Sequence, residues 1–177
     1  AVDGTGDIVS MTSTIEGPFG SQLIVNGYFL NNELTDFTFA PEKDGKPVAN
    51  RVEPGKRPLS SMSPSIVYDE NGQPVFAVGA AGGKTIIMQV AKAIIAHFDW
   101  NMPARQAIGL GLIYFNGQGE TVLEADTPLT RMQPALEAMG HKVRVSALGL
   151  KANAAERTDK GWRGAADPRS PGVAIAQ

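Results

Sequence analysis

Cysteine is absent from the 177 residues of this chain, and histidine occurs only as His97 and His141. Without cysteine there is no disulfide, no thiolate zinc site and no cysteine nucleophile. The two histidines lie in different segments, which disfavours a metal site with several histidine ligands. A Ser-His-Asp triad would have to use one of these two. We expect both to be structural, His97 at a helix end and His141 directly after Gly140.

Strong charge of one sign and long apolar runs are also missing. The formal net charge is −2. This argues against nucleic acid as a partner, because proteins that bind nucleic acids carry a basic stripe on their surface. No run approaches the ~18 apolar residues of a membrane-spanning helix, so we expect no membrane span. The hydrophobic fraction of 42% is enough for a core, and the length fits one domain or a large fragment of one.

Strand signals occur in both halves of the chain. Asn71-Gly72 between two apolar runs predicts a hairpin. Residues 31–64 form a long polar stretch with several prolines, which indicates a loop that is either functional or disordered. The tail, residues 161–172, is rich in turn-forming residues. Strands are predicted at 8–15, at 23–30 with an interruption at Asn26-Gly27, at Ser65–Tyr68, 75–79, Ile113–Phe115 and Thr121–Glu124, and around Val143 and Val145.

Helix signals occupy the middle of the chain. Apolar residues at three- and four-residue spacing predict a helix over 84–98. Pro103 fits the first turn of a second helix, over 103–111. A third helix is expected over 130–139, with Thr130 as its cap because Pro134 is tolerated only in the first turn. Strands, then helices, then strands predict an α+β fold with a largely antiparallel sheet.

Gly82 and Gly83 directly precede the first predicted helix. Two glycines allow close backbone approach, and a helix start offers unpaired N–H groups that can bind an anion or an oxyanion. The alternative is a tight strand-to-helix turn, which the pattern by itself favours.

Two polar stretches are candidates for small-molecule binding. Ser60 and Ser61 lie between Pro58 and Pro64 in a stiff loop and could donate two hydrogen bonds to a carboxylate. The alternative is a surface loop whose serines bond their own backbone. Glu33 and Asp36, beside two asparagines, could bind an ammonium group, or could form a solvated turn. In both cases the pattern by itself favours the second reading.

Six motifs together resemble the small, C-terminal subunit of the γ-glutamyltranspeptidases, which are N-terminal nucleophile hydrolases. The similarity covers nearly the whole chain, and "KRPLSSMSP" followed at this spacing by a diglycine-led helix is highly specific. The motifs are "VDGTGDIVSMTST" (2–14), "FGS" (19–21), "LNNELTDF" (30–37), "GKRPLSSMSP" (55–64), "GAAGGKTII" (79–87) and "GAADPRS" (164–170).

The resemblance implies a site for a γ-glutamyl donor. The serine pair would bind the donor's α-carboxylate, which points to Ser60 and Ser61. The acidic residues of the "LNN" segment would bind the α-ammonium, which points to Glu33 and Asp36. At position 16 the family usually has an asparagine that also contacts this end of the donor. Glu16 therefore adds a third carboxylate, and we expect the three to raise one another's pKa values.

The resemblance also implies how the reaction proceeds. Gly82 and Gly83 would form the oxyanion hole, and Thr14 would support the nucleophile. The nucleophile is an N-terminal threonine released by self-cleavage of a precursor, with its own α-amino group as the base. We expect it a few residues before Ala1, in a "TTH"-like start that this sequence does not contain, and Thr5 in its turn is no substitute. No histidine, metal or cofactor is then required.

Residues 1–177 are accordingly expected to form a single small-subunit region of a γ-glutamyltranspeptidase-like precursor. The implied fold is a four-layer αββα sandwich, to which the large subunit from the same precursor contributes the other strands and an arginine for the substrate carboxylate. Apolar edges should be exposed without that partner. The resemblance suggests a periplasmic or extracellular location, although a cysteine-free chain suits the cytosol equally.

Two other functions compete with γ-glutamyl transfer or hydrolysis. One is a glutaryl or cephalosporin acylase of the same superfamily, which Glu16 makes credible because such an enzyme need not bind an α-ammonium. The other is a non-catalytic paralogue that serves as a binding subunit.

Overall fold

The computed structural model describes residues 1–175, which form two compact units. The smaller unit is Ser13–Ser60, and the larger consists of Ala1–Thr12 and the chain from Ser61 onward. No helix among the described residues is long and apolar enough to cross a membrane. That residues 1–177 are one region of a single precursor stays a prediction.

The smaller unit has little regular structure. Two short hairpins are built from β1 (Ile24–Val25) with β2 (Tyr28–Phe29) and from β3 (Glu42–Lys43) with β4 (Lys46–Pro47). Asn26 and Gly27 join β1 to β2 with positive φ angles of 50° and 89°, the geometry that Asn-Gly supplies cheaply. A 3₁₀ turn, Glu33–Asp36, lies between the two hairpins.

The larger unit contains a four-stranded antiparallel sheet and three α-helices. The elements are β5 (Ser65–Tyr68), β6 (Pro74–Ala81), α1 (Ile86–Phe98), α2 (Ala104–Gly109), β7 (Ile113–Phe115), β8 (Thr121–Glu124), α3 (Gln133–Ala138), β9 (Val143–Ser146), β10 (Lys151–Thr158) and β11 (Gly161–Ala166). The four-stranded sheet has the strand order β11-β10-β6-β5, and a second sheet has the order β7-β8-β9 with β8 and β9 parallel.

The core lies between the four-stranded sheet and the first two helices. β6 contributes every second residue, because successive side chains of a strand point to opposite faces. α1 contributes residues at three- and four-residue spacing, the stripe that a helix buries against a sheet. The core cluster comprises Phe76, Val78, Ala80, Ile86, Val90, Ala93, Ala104, Ile108, Ala152 and Ala165.

A network of ion pairs and hydrogen bonds links α2 to the sheets. Asp167 and Arg169 of the "GAADPRS" motif belong to this network and have a structural role in it. Asp167 accepts the backbone N–H of Ala152 and pairs with Arg169, whose guanidinium also contacts Glu124 at 2.8 Å. Arg169 and Lys92 both donate to carbonyls at the end of α2, which have no partner within the helix. Burial, followed by the charge of Arg169, lowers the pKa of the Lys92 ammonium to about 8.

Most predicted elements are confirmed, with boundary shifts of a few residues. The hairpin at Asn71-Gly72 forms from β5 and β6, and the three helices are present as α1, α2 and α3. The long stretch 31–64 is mostly irregular, as expected. The predominantly antiparallel sheet is also confirmed.

Three expectations were wrong. Residues 8–15 form no strand beyond an isolated bridge between Val2 and Ile8, because a strand needs a neighbouring ladder and none runs beside this segment in the described chain. Part of the supposed turn-rich tail is β11, which pairs with the unforeseen β10. Thr130 does not cap α3: its hydroxyl donates to the Thr127 carbonyl inside a 3₁₀ turn, Pro128–Met132, that precedes the helix.

Candidate active site

Three carboxylates lie close together at the acidic 3₁₀ turn of the smaller unit: those of Glu33 and Asp36 in the turn and that of Glu16. Asn31 starts the turn by accepting the backbone N–H of Glu33 through its side-chain oxygen at 3.0 Å. Oε1 of Glu33 is buried and has no hydrogen-bond partner among the described residues. Burial, then the negative charges of Asp36 and Glu16, raise the pKa of the Glu33 carboxyl above its ordinary value. For Glu33 this is the mutual effect that the sequence predicted.

Asn32 fixes the position of Glu16 relative to this turn. Its Nδ2 donates to Oε2 of Glu16 at 2.6 Å and to the Thr35 hydroxyl at 3.0 Å. Its Oδ1 accepts the backbone N–H of Gly17 at 2.9 Å. All three polar positions of the side chain are thereby used, so Glu16 is held beside the acidic turn. Glu16 was predicted from the sequence as a site residue but Asn32 was not, because the only signal for Asn32 was the doubled asparagine of "LNNELTDF".

Thr14 and Glu16 form a compact local turn. The Thr14 hydroxyl oxygen accepts the backbone N–H of Glu16 at 2.8 Å. Glu16 has a φ of 71°, a conformation that is uncommon for residues other than glycine, asparagine and aspartate. A hydroxyl has one proton to donate besides its lone pairs. The Thr14 hydroxyl proton is therefore not consumed by this turn and can serve another acceptor.

The serine loop is braced on its N-terminal side. Lys56 pairs with Glu53 at 2.9 Å and also donates to the Ala49 carbonyl. The backbone N–H of Leu59, the residue before Ser60, donates to Oδ1 of Asn50 at 3.0 Å. Beyond the serine pair, the Ser63 hydroxyl donates to the Ser61 carbonyl at 2.9 Å. The loop therefore has fixed contacts on both sides of Ser60 and Ser61.

The diglycine adopts backbone conformations that favour glycine. Gly82 has a φ of 141° and Gly83 a φ of 58°. A Cβ at position 82 would lie 2.6 Å from Oγ1 of Thr85 and 2.8 Å from Nε2 of Gln89. These two buried side chains bond each other and the carbonyls of Gly82 and Ala81, which shapes the start of α1.

Both glycines are exposed. Their backbone N–H groups donate no hydrogen bond within residues 1–175. Unpaired N–H groups at the start of a helix are suited to an anion. The tight turn and the anion site are therefore compatible interpretations of the same glycines.

The predicted site residues fall into two groups. Thr14, Glu16, Glu33, Asp36 and Ser60 belong to the smaller unit, and within it Glu16, Glu33 and Asp36 are close enough to perturb a pKa. Ser61, Gly82 and Gly83 belong to the larger unit. The convergence of both groups around one cavity stays a prediction, as do the individual roles.

The surroundings of His97 agree with the structural role expected for it. Its Nδ1 lies 2.8 Å from the Met102 carbonyl oxygen, and its ring stacks on Phe76 with centroids 4.4 Å apart. A shallow concavity beside it, lined among others by Glu156 and Arg163, contains none of the predicted site residues.

Comparison with solved structures identifies the fold class to which the chain belongs. The chain superposes on a cephalosporin acylase from Bacillus halodurans with a TM-score of 0.74 and 22% identity, over 89% of this chain and 29% of that one. At this identity the likeness shows the fold alone. It superposes on a gamma-glutamyltranspeptidase from Pseudomonas nitroreducens, solved with L-DON, with a TM-score of 0.87 and 31% identity, over 100% and 97% of the two chains. The predicted α+β fold of the N-terminal nucleophile hydrolases is thereby confirmed.

The family follows from the sequence comparison. The model of the gamma-glutamyltranspeptidase family matches residues 1–177. A glutathione hydrolase proenzyme of Bacillus subtilis is 36% identical over 178 residues, which cover 98% of this chain and 29% of that protein. The chain belongs to the gamma-glutamyltranspeptidase family, and it spans about a third or less of the length of this proenzyme and of the glutathione hydrolase proenzymes of Bacillus subtilis subsp. natto and Pseudomonas aeruginosa.

Proposed function

We propose that the protein carrying this chain transfers or hydrolyses γ-glutamyl groups of small amides such as glutathione, together with a large subunit from the same precursor. The observation that carries the proposal is the buried, unpartnered Oε1 of Glu33 beside two further carboxylates. Buried polar atoms are rarely left without a partner. A donor's α-ammonium would supply the missing hydrogen bond and would offset the repulsion that raises the pKa of Glu33.

The remaining residues suit the other parts of the donor. The Ser60 and Ser61 hydroxyls would bind its α-carboxylate, opposite in charge to the group that the acidic cluster binds. The N–H groups of Gly82 and Gly83 would stabilise the oxyanion that forms when the γ-amide is attacked. Thr14 would donate its free hydroxyl proton toward the nucleophile.

The covalent step uses an N-terminal threonine expected upstream of Ala1. Its hydroxyl oxygen attacks the γ-carbonyl carbon, and its α-amino group takes the hydroxyl proton. The oxyanion intermediate collapses to an ester, and the leaving amine departs with that proton. Water or an acceptor amine then attacks the ester and gives a proton to the amino group, which returns it to the threonine oxygen.

Replacement of both serines tests the carboxylate assignment. In the complete protein, Ser60→Ala with Ser61→Ala should raise the KM for a γ-glutamyl anilide about 100-fold or more, because two hydrogen bonds to a charged group are lost and each contributes about 1.5–3 kcal/mol. The matched control is Ser146→Ala with Ser170→Ala, whose hydroxyls donate to backbone carbonyls. An unchanged KM in the Ser60/Ser61 variant would show that the assignment is wrong.

A glutaryl acylase is the second candidate, on account of the charge of Glu16. The unpartnered Oε1 of Glu33 disfavours it, since a glutaryl donor brings no ammonium to three carboxylates. Parallel assays of γ-glutamyl and glutaryl anilides separate the two functions. A non-catalytic binding subunit would gain support only if the segment upstream of Ala1 supplies no N-terminal threonine, which sequencing of that segment would show.

A further inference from the structure

Asn50 joins two segments of the smaller unit that are far apart in the sequence. Its Nδ2 donates to the backbone carbonyl of Asp36 at 2.7 Å, and its Oδ1 accepts the backbone N–H of Leu59 at 3.0 Å. The backbone carbonyl of Asn50 accepts the backbone N–H of Thr38 at 2.9 Å. Asp36 is one of the acidic residues, and Leu59 immediately precedes Ser60. A single half-buried amide therefore bonds the backbone at both places.

We propose that Asn50 is a positioning residue that sets the separation between the ammonium-binding carboxylates and the carboxylate-binding Ser60. The inference rests on the proposed γ-glutamyl function and deepens it. A γ-glutamyl donor carries its ammonium and its carboxylate on one carbon, so the two binding groups must be held at a fixed spacing. Because the Asn50 hydrogen bonds already hold both segments in place, less conformational entropy is lost when a donor binds to both groups.

The inference predicts a particular kind of selectivity. When the hydrogen bonds of the Asn50 side chain are lost, a donor that contacts both charged binding groups should lose more binding affinity than a donor that contacts only one. A brace that merely supports folding would instead affect all donors alike. The distinction requires three anilides: γ-glutamyl, with both charged groups; glutaryl, without the ammonium; and 4-aminobutyryl, without the carboxylate.

The experiment compares the complete wild-type protein with its Asn50→Ala variant. We expect the KM for the γ-glutamyl anilide to rise at least tenfold, about the effect of losing 1.4 kcal/mol of binding, while kcat changes less than about threefold. The preference for the γ-glutamyl anilide over each of the other two, as a ratio of kcat/KM values, should fall at least fivefold.

The matched control is Asn116→Ala. Asn116 also braces a loop, because its Oδ1 accepts the backbone N–H groups of Gln118 and Glu120 in the β7–β8 turn. This variant should leave both ratios unchanged. If Asn50→Ala does not fold, Asn50→Asp decides by the same ratios, since it keeps an oxygen for Leu59 and loses the donor to Asp36.

The outcomes are distinguishable. A wild-type protein without γ-glutamyl activity overturns the proposed function and this inference with it. An active wild type whose Asn50 variants lower kcat/KM equally for the three anilides, or not at all, overturns this inference alone.

Discussion

At the residue scale, the acidic cluster shows how one carboxylate changes the chemistry of another. Glu16 is held beside the 3₁₀ turn by Asn32, and its charge adds to burial and to the charge of Asp36 in raising the pKa of Glu33. Only the ionised form of Glu33 attracts an ammonium. Donor binding should therefore weaken on acidification at a higher pH than an ordinary glutamate would give.

Glu16→Gln should move this pH dependence. The substitution keeps an oxygen for Asn32 and removes the charge, so the pKa of Glu33 should fall. The acid limb of the kcat/KM profile for a γ-glutamyl anilide should then shift to lower pH. Glu42→Gln, in the exposed β3 strand, serves as the control and should leave the limb in place. An acid limb that does not move in Glu16→Gln would contradict the coupling.

Single residues could be named from the sequence where a motif carried them, as with Glu33, Asp36 and the diglycine. Asn32 and Asn50 could not, because their importance lies in the partners that folding brings to them. An asparagine in a polar stretch has the same local pattern whether it braces two segments or faces solvent.

At the scale of elements, the start of α1 depends on the glycine at position 82. The predicted periodicity of 84–98 was correct for the helix body, but the first turn is 3₁₀ and is shaped by Thr85 and Gln89. The close approach of these side chains leaves no room for a Cβ. The hydrophobic pattern alone does not contain this information, because it reports which face is buried and not how the chain enters the helix.

Gly82→Ala should therefore destabilise the protein more than the same change at a turn glycine that also has a positive φ but has open space around it. The control is Gly119→Ala, where φ is 91° and no atom lies within 4 Å of the added Cβ. The free energy of unfolding should fall by about 1–3 kcal/mol more in Gly82→Ala than in Gly119→Ala, because buried hydrogen bonds are disturbed only at position 82. Denaturant unfolding of the complete protein measures it. Equal losses in both variants would mean that Thr85 and Gln89 adapt without cost.

At the scale of the whole molecule, many large apolar side chains of the described residues are exposed. The smaller unit contains exposed large side chains such as Leu23, Tyr28, Leu34 and Phe39, the last 87% exposed. Contiguous exposed apolar surface marks an interaction site or an aggregation liability. The exposure agrees with the expectation from the sequence, while the identity of the partner stays a proposal.

Residues 1–177 produced alone should bind a hydrophobic dye and self-associate. The same residues within the complete protein should do neither, because the large subunit would cover the apolar side chains. Dye fluorescence and size-exclusion chromatography measure both properties. A monomeric isolated chain that binds no dye would contradict the need for a partner.

The helices, the central hairpin, the fold class and the family motifs could be predicted from the amino-acid sequence. These depend on local periodicity, on turn chemistry and on short contiguous patterns, all of which are readable along the chain. The folded chain was needed to show that β10 and β11 complete the sheet, that residues 8–15 do not form a strand, and that Asn32 and Asn50 hold the acidic turn and the serine loop in place. Those outcomes depend on hydrogen-bond partners distant in the sequence, whose positions are fixed by the fold as a whole.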